Sequence, residues 1–475
     1  MLVSAEMKQS TPVMLQPGLH IHLVGIAGVG MSAIARVLLG RGYRVSGSDM
    51  NLNALSAELA SLGATIYGDH AAAHIAGADL LVYSSAVNSL NPEVAAARQS
   101  GIPVLKRADL LGELMAGSYG MAVAGTHGKT TTTAMIAQIL TEAGLDPTVI
   151  LGGVLPALGS NAHVGQSRYF LIEADEYDRM FLGLRPEVAV ITNVDHDHPD
   201  IYPTAAEYQA AFVTFAQLLP PGGRLFVCAD DPGALAVTTA ARLTDIAVMT
   251  YGLGHQAQLR AVDLRSNPLG GHDFVVLEGE HTIGLVRLRV PGLHNVRNAL
   301  AAIGVALDAG IAFSAIQPVL VAFGGVDRRF EQVDTAAGVT VVDDYAHHPT
   351  EVRATLAAAR QRFGGRRLWA VWQPHTFSRT LALLDEFKTC FADADRVIIL
   401  DVYHSREQDT LGLEMGQVAA DMPHAYVRHI GRIPDAASYI LDRLYPDDVV
   451  ITLSAGNGNA VGQLILDALK ERVNR

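Results

Sequence analysis

Short apolar runs that end in polar residues alternate with longer segments of helical spacing along most of this chain. Such alternation is typical of parallel sheets covered by helices, which bind ligands beyond the carboxyl ends of their strands. In the first part of the chain the pattern predicts strands at 20–25, 43–47 and 80–85 and a helix over 31–39. We therefore expect an α/β protein.

The same pattern continues in two further units. Apolar segments at 169–173 and 188–193 predict buried strands of a second α/β unit. From about 250 to 290, Gly and Pro turns separate short segments, which predicts a small antiparallel portion before a helix over 295–307. A hinge is expected at 324–327. The third unit is predicted to contain four strands, at 339–343, 368–372, 396–400 and 448–453.

The length of the chain implies several domains, because 475 residues exceed what one core usually holds. The polar stretch 106–109, followed by Gly117 and Gly120, indicates the first boundary. The predicted divisions are a flexible tail at 1–17, an N-terminal Rossmann-like domain at 18–116, a central P-loop ATPase-like α/β domain at 117–325 and a C-terminal Rossmann-like α/β domain at 326–475.

Composition narrows the possible partners. A net charge of −13 argues against general affinity for nucleic acid, which needs clustered Lys and Arg. The two cysteines, Cys228 and Cys390, are far apart in sequence, as in proteins of a reducing compartment. No apolar stretch reaches the roughly 20 residues of a membrane span, and Glu6 and Lys8 interrupt any secretory pattern. We expect a cytoplasmic protein with no nucleic-acid or membrane partner.

The most informative motif is a glycine loop between a predicted strand at 121–124 and a predicted helix. Backbone N–H groups of such a loop, together with the helix N-terminus, bind phosphate, while its Lys reaches the outer phosphates and its Thr holds Mg²⁺. Val123 stands where the general P-loop has its first glycine, so this loop is a shortened variant. A capped turn without a ligand is the alternative. The loop consists of Gly125, Thr126, His127, Gly128, Lys129, Thr130 and Thr131.

A second glycine turn lies near the start of the chain, with Gly25, Gly28 and Gly30 followed by Asp49 at the end of the next strand. This spacing differs from the dinucleotide pattern G-x-G-x-x-G. A glycine turn that leads into a helix still forms a diphosphate cradle, and an acidic group can accept ribose hydroxyls. The residues alone leave three alternatives: another diphosphate nucleotide, a nicotinamide cofactor, or a turn without a ligand.

Polar clusters follow the strands of the later units. The segment 173–176 supplies carboxylates suited to Mg²⁺, with an exposed turn as the alternative. In the segment 195–200, His196 and His198 share one side of an extended chain, and position alone does not choose between them as ligands. Arg328 and Arg329, with the segments 343–349 and 373–379, concentrate arginine and histidine on one rim of the third unit.

Taken in order, these motifs resemble the Mur ligase family, the ATP-dependent amino-acid ligases that build the peptidoglycan stem peptide. The resemblance rests on the shortened loop, on 173–176, on 192–198, on 292–299 and on the segments 343–351 and 373–380. It spans essentially the whole chain after the tail.

The resemblance implies an ATP-dependent ligase that uses Mg²⁺, with Mn²⁺ able to substitute. The implied catalytic residues are Lys129, Glu173, His198 and Arg379. The implied metal ligands are Thr130 and Glu173 for one Mg²⁺ ion, and His198 with Glu173 for a second. Asn295 and Asp344 would join the loop in binding ATP. A UDP-substrate would contact Gly28, Val29, Gly30, Asp49, His70, Ser84 and Ser85, and the amino acid would contact Arg328, His347, His348 and Arg379.

Within the family, the segments 22–32 and 343–351 are similar to the branch that joins L-alanine to UDP-N-acetylmuramate, so these two small molecules are the expected substrates. Ala27 stands where this branch commonly has a third glycine. Phe212 stands where many members carry a carbamoylated lysine, so no such modification is expected. The alternatives are a recycling ligase for whole tripeptides, a nicotinamide-dependent oxidoreductase and a catalytically silent nucleotide-binding regulator.

Overall fold

The computed structural model describes residues 15–88, 90–405, 407 and 409–473. Most of the predicted tail, residues 1–14, lies outside the described residues. The packing of the chain defines two compact units, the described part of 1–117 with 162–164, and 118–161 with the described part of 165–475. Among the described residues, no helix combines the length and the apolar character that a membrane span requires.

The first unit is built on a parallel sheet with the order β3-β2-β1-β4-β5 among the described residues. Because the chain reverses its direction of strand addition between β1 and β4, the loops after these strands open a crevice at the carboxyl edge of the sheet. Its elements are β1 (His20–Val24), α1 (Val29–Gly40), β2 (Arg44–Ser48), α2 (Ala54–Ser61), β3 (Thr65–Tyr67), β4 (Leu80–Tyr83), α3 (Pro92–Gln99), β5 (Val104–Lys106) and α4 (Arg107–Met115).

Helix α4 lies next to the predicted first boundary. Arg107 begins this helix, and its Leu110, Leu114 and Met115 are buried in the first unit. Polar residues in the first turn of a helix resemble a loop when they are seen only in sequence. Gly120 likewise lies inside a strand, whereas Gly117 adopts a left-handed turn immediately before it.

The central domain contains a ten-stranded mixed sheet among the described residues, in the order β15-β14-β13-β12-β11-β10-β6-β9-β7-β8. Its elements are β6 (Tyr119–Ala124), α5 (Lys129–Glu142), β7 (Thr148–Leu155), β8 (Ser160–His163), β9 (Tyr169–Glu173), β10 (Val188–Ile191), α6 (Ala205–Ala216), β11 (Arg224–Cys228), α7 (Pro232–Ala240), β12 (Ala247–Gly252), β13 (Leu259–Ser266), β14 (His272–Glu278), β15 (His281–Arg287), α8 (Leu293–Asp308) and α9 (Phe313–Ala322). The predicted antiparallel portion is confirmed for β13–β15, whereas β12 pairs in parallel with β11.

The C-terminal domain contains a six-stranded sheet among the described residues, in the order β16-β17-β21-β18-β19-β20. Its elements are β16 (Glu331–Ala336), β17 (Val339–Asp344), α10 (Pro349–Phe363), β18 (Leu368–Gln373), α11 (Phe377–Ala382), α12 (Leu384–Thr389), β19 (Arg396–Ile399), α13 (Met415–Asp421), β20 (Val427–His429), α14 (Ile433–Leu441), β21 (Val449–Ser454) and α15 (Ala460–Val473). The four predicted strands are present, and the pattern missed the two edge strands, antiparallel β16 and three-residue β20.

The central core shows why helix α8 lies on its sheet. Gly304 of α8 passes over Phe226 of β11 so closely that a Cβ at this glycine would lie 3.0 Å from the ring. Phe226 is 2 % exposed and belongs to the apolar cluster that joins the sheet to α5 and α8. The close approach depends on pairing a flat ring with a residue that has no side chain.

We predict that Phe226→Ala lowers the free energy of unfolding of the central domain by about 3–5 kcal/mol, because the removed ring leaves a cavity that α8 cannot fill. The measurement is the shift of the urea unfolding midpoint. Leu285→Ala is the control, because this side chain on edge strand β15 is 49 % exposed and its truncation should change stability little. Equal shifts for the two variants would contradict the role given to Phe226.

Candidate functional site

The predicted phosphate loop lies between β6 and α5, and both of its glycines are required by their surroundings. Gly125 and Gly128 have φ angles of 138° and 80°, which side-chain-bearing residues rarely adopt. A Cβ at Gly125 would overlap the Thr192 side chain, and one at Gly128 would lie 2.6 Å from Oδ1 of Asn298. The loop is therefore confined between the end of β10 and helix α8.

Polar groups after β10 hold the loop backbone. The Asn193 side chain accepts a hydrogen bond from the His127 N–H (2.8 Å) and donates one to the His127 carbonyl (2.9 Å). The Thr192 hydroxyl also donates to that carbonyl (2.6 Å). These bonds fix the direction of the loop N–H groups. Sequence reasoning gave neither residue a role of its own, although polar residues directly after a buried strand were the available signal.

The Lys129 ammonium is buried beside the loop. It donates to the carbonyls of Gly125 (2.6 Å) and Thr126 (3.0 Å) and lies 2.7 Å from Oε2 of Glu176. Burial opposes its charge, but the carboxylates of Glu176 and Glu173 raise the pKa of Lys129 above its ordinary value. Glu176 is 2 % exposed. Burial would raise the pKa of Glu176, yet Lys129 and His198 lower it to about 2, so this charge persists.

Thr130 and Glu173, predicted as metal ligands, lie together. The Thr130 hydroxyl donates to Oε1 of Glu173 (2.9 Å), and the Gly152 N–H donates to Oε2 (2.7 Å). Burial raises the pKa of Glu173, and Lys129 offsets only part of this effect. A buried carboxylate beside a hydroxyl is a donor set that suits a hard divalent cation.

His198 contacts a carboxylate other than the expected one. Its Nε2 lies 3.3 Å from Oε1 of Glu176, not against Glu173, and its Nδ1 lies 3.2 Å from Nη2 of Arg379. Its backbone φ of 55° turns the side chain toward these groups. The neighbouring His196 points elsewhere, with Nε2 2.9 Å from the Tyr202 carbonyl. The structure thus separates the two histidines that the sequence left equivalent.

Arg379 joins the C-terminal domain to the central domain. Its guanidinium is 5 % exposed and donates to both carboxylate oxygens of Asp197, at 2.6 and 3.3 Å. Burial opposes the charge of Asp197, but Arg379 holds its pKa well below the usual range. Such a paired arginine is a strong interdomain contact, because it carries two charge-assisted hydrogen bonds. Asp197 was part of a quoted motif but had no predicted role.

A second interdomain cluster surrounds the loop histidine. His127 Nε2 lies 3.4 Å from Asp195 Oδ2, and its Nδ1 lies 3.3 Å from Glu351 Oε1. His348 Nδ1 lies 3.6 Å from the same Asp195 oxygen, which also accepts a hydrogen bond from the Thr350 hydroxyl (2.6 Å). Donor atoms of His127, Asp195 and His348 lie within 4.8 Å of one another and could hold a cation, a set distinct from the predicted ligands.

A cavity of about 370 Å³ lies beside the loop, a volume typical of small-molecule sites. Five residues of the predicted ATP set line it: His127, Gly128, Thr131, Asn295 and Asp344. Burial raises the pKa of Asp344 to about 6. Arg329 also lines the cavity, whereas Arg328 donates to Asp343 (2.9 Å) and to the Ser454 carbonyl (2.7 Å) within its own domain.

The other predicted amino-acid contacts, His347 and His348, are neutral imidazoles at pH 7. Burial lowers the pKa of His347 to about 3 and that of His348 to about 4. His348 also begins helix α10 as its N-cap. His347 Nδ1 lies 2.9 Å from the Tyr345 carbonyl.

In the first unit, the predicted UDP contacts lie at the carboxyl edge of the sheet. Gly28 precedes α1, and Asp49 after β2 accepts a hydrogen bond from the Ala27 N–H (3.1 Å). Ser84 and Ser85 follow β4, and His70 follows β3. Gly30 faces the Arg107 guanidinium, which places a positive charge beside the glycine turn. From the sequence, Arg107 was predicted only to mark a domain boundary.

We predict that His127 makes the closed contact between the two domains depend on pH. Burial alone would lower its pKa, but Glu351 and Asp195 raise it to about 9. A folded pKa above the unfolded value of 6.5 means that this stabilisation is complete below pH 6.5 and is lost as pH rises through 9. The shift corresponds to at most about 3 kcal/mol.

The check is the difference in melting temperature between the wild type and His127→Gln at pH 6.5, 8 and 9.5, which should shrink as pH rises. His281→Gln, at an exposed position on β15, should give a difference that does not change with pH. A constant difference for His127→Gln across this range would contradict the ionic contact.

Family models match three successive parts of the chain: "Mur ligase family, catalytic domain" at 20–119, "Mur ligase middle domain" at 123–306 and "Mur ligase, glutamate ligase domain" at 328–456. UDP-N-acetylmuramate–L-alanine ligase of Salinibacter ruber is 45 % identical over 442 residues, which are 92 % of each chain.

Two crystal structures share the fold over nearly the whole length. UDP-N-acetylmuramate-alanine ligase MurC of Thermotoga maritima gives a TM-score of 0.80 at 27 % identity and covers 96 % of this chain and 100 % of that one. A murein peptide ligase of Psychrobacter arcticus gives 0.72 at 27 % identity, with 95 % and 99 % covered. On these matches and on the geometry of the loop, this chain belongs to the Mur ligase family.

Proposed function

We propose that this chain is an ATP-dependent ligase that joins L-alanine to the lactyl carboxylate of UDP-N-acetylmuramate, in the cytoplasmic synthesis of peptidoglycan precursors. The observation that carries the proposal is the position of Lys129. Its ammonium lies in a phosphate loop whose cavity is also lined by polar residues of the C-terminal domain. The name of the Salinibacter relative supports the choice of substrates.

The chemistry explains why ATP is required. A carboxylate and an ammonium do not condense usefully in water, so the acid must first be activated. In the proposed first step, a carboxylate oxygen attacks the γ-phosphorus of ATP, the bond to the bridging oxygen breaks, and ADP leaves. In the second step, the free amine of L-alanine attacks the acyl phosphate through a tetrahedral intermediate, which releases inorganic phosphate and forms the amide. The amine loses one of its two protons as the amide forms, and this proton balances on the released phosphate.

The central domain would position and neutralise the phosphates. The N–H groups of Gly125–Thr131 would bind the phosphate chain, and Lys129 would stabilise charge on the transferred group. Thr130, Glu173 and His198 would hold Mg²⁺, or Mn²⁺ in its place, and Thr130 and Glu173 already form a matching donor set. Bound there, the ion supplies positive charge to the phosphoryl oxygens.

The C-terminal domain would present the amino acid. Arg379 could bind the alanine carboxylate, since guanidinium groups match the geometry of carboxylates. The neutral imidazoles of His347 and His348 could accept hydrogen bonds from the attacking amine and so orient it. Arg328 stays a proposed contact, although its present partners lie within its own domain. Contact between the two domains would exclude water, which would otherwise hydrolyse the acyl phosphate.

The first domain would hold the uridine diphosphate part of the substrate. The N-terminus of α1, entered through Gly28, Val29 and Gly30, offers N–H groups to the diphosphate. Arg107 beside Gly30 would add a positive charge. Asp49, Ser84, Ser85 and His70 complete the proposed contacts.

The experiment is release of phosphate by the purified chain with ATP, Mg²⁺ and UDP-N-acetylmuramate. We expect release only after L-alanine is added. Release with an alanyl-glutamyl-diaminopimelate tripeptide but not with L-alanine would instead identify a recycling ligase. No release with either would contradict the proposed function.

We predict that Lys129→Ala lowers kcat in this assay by about 10²–10³-fold, because it removes a buried charge from the phosphoryl group in the transition state. Lys470→Ala is the matched control, since this lysine is half exposed and pairs only with Asp334 among the described residues. Full activity of Lys129→Ala would overturn the role given to the loop lysine.

A further inference from the structure

A buried carboxylate in the first domain has no role in the function proposed above. Glu93, in the first turn of α3, is fully buried. Three histidines and a serine surround it. His74 Nδ1 lies 2.9 Å and His22 Nε2 lies 3.5 Å from the Oε1 atom of Glu93. The Ser48 hydroxyl lies 2.5 Å and His70 Nδ1 lies 3.1 Å from its Oε2 atom.

This arrangement keeps the Glu93 charge despite its burial. Burial would raise the pKa of Glu93, but the nearby His22 ring and hydrogen bonds from Ser48 and His74 lower it to about 2. A buried ion is tolerated only when hydrogen bonds replace its lost hydration. The donors therefore fix the carboxylate, and the carboxylate in turn fixes the rotamers of its donors.

Two of these donors belong to the edge of the sheet where the UDP-substrate is proposed to bind. Ser48 is the last residue of β2 and directly precedes Asp49, whose carboxylate holds the glycine turn through the Ala27 N–H. His70 Nδ1 also lies 2.9 Å from the Ser48 hydroxyl, and the His70 side chain is 21 % exposed. Because Nδ1 of His70 contacts Ser48 and Glu93, Nε2 is the ring nitrogen that can bind a ligand.

The order of the strands indicates which part of the ligand His70 meets. In a sheet of this topology, the diphosphate lies at the helix after β1, and an acidic residue after the next strand binds the ribose. His70 follows β3, which lies one strand farther out, on the side away from Ser84 and Ser85. His70 thus lies on the nucleoside side of the crevice.

We propose that Glu93 is a positioning residue which, through His70 and Ser48, orients the nucleoside end of the UDP-substrate. The inference rests on the proposed function, because it assumes a uridine nucleotide in this crevice. When Nδ1 donates its proton to Glu93, Nε2 carries a lone pair and accepts a hydrogen bond. A ribose hydroxyl or the uracil N3–H supplies the matching donor. Glu93 itself touches no ligand.

The test measures UDP binding to the full chain by calorimetry, together with kcat and KM for UDP-N-acetylmuramate. Glu93→Gln and His70→Gln should each raise the Kd of UDP and the KM about tenfold, as expected for loss of an aligned hydrogen bond. The kcat at saturation and the KM for ATP should change less than about twofold. The double variant should bind UDP no worse than His70→Gln alone, because both changes break one coupled contact.

Two controls separate positioning from a structural role. His74→Gln removes another donor to Glu93, but this ring stacks on Tyr67 (3.9 Å between centroids), so melting temperature should fall without a change in Kd. Glu58→Gln, on the same domain but paired with Arg36 at the surface, should alter neither quantity. A folded Glu93→Gln chain with wild-type Kd, or additive effects of Glu93 and His70, would overturn the proposal.

Should Glu93→Gln fail to fold, Glu93→Asp serves in the same comparison. It keeps the buried charge but moves it away from His70 by the length of one methylene group, so the same non-additivity with His70→Gln is expected.

CDP as a second ligand distinguishes the two donors. A wild-type preference for UDP that is lost in His70→Gln indicates the uracil N3–H, whereas equal weakening for both nucleotides indicates a ribose hydroxyl. A wild type that binds UDP without releasing phosphate would reject the proposed ligase alone.

Discussion

The site depends on one buried positive charge, the ammonium of Lys129, and on the carboxylates that make its burial possible. Glu176 compensates this charge directly and also contacts His198, which in turn lies against Arg379. Because each group in this series is desolvated, moving one of them without a replacement partner leaves its neighbour with an unpaired buried charge. The phosphate loop of the central domain is thereby linked to a guanidinium of the C-terminal domain through a few polar contacts.

This linkage is polar throughout, and that property suits the domain closure proposed above. An apolar interface would hold the two domains together regardless of the ligand. Contacts such as Arg379 with Asp197, and His127 with Asp195 and Glu351, can be exchanged for substrate phosphate or carboxylate groups at small net cost. The same residues can therefore hold the closed arrangement and serve as binding groups for the anionic reactants.

The sequence was sufficient for the strands that precede the main motifs, for the phosphate loop and for the family, because each has a strong local signal. The sequence did not predict features that depend on contacts between residues far apart in the chain. His196 and His198 are equivalent in sequence and differ only because a positive φ turns one toward Glu176. Arg107 had no predicted binding role, because Gly30, which it faces, lies far away in the chain. Glu93 had no predicted role, since no local pattern reveals the three histidines around it. The pattern did not predict edge strand β20, because three residues are too few to show an alternation of polar and apolar positions.

The close packing around the phosphate loop also limits which substitutions this protein can accept. The space around Gly125 and Gly128 is closed by Thr192 and by Asn298, which come from parts of the chain far from the loop. A larger loop residue therefore requires both a smaller partner in another element and a backbone shift out of the positive-φ region. Neutral drift or directed evolution of this loop would have to proceed by such coupled changes, because a single replacement at either glycine meets both a steric clash and backbone strain.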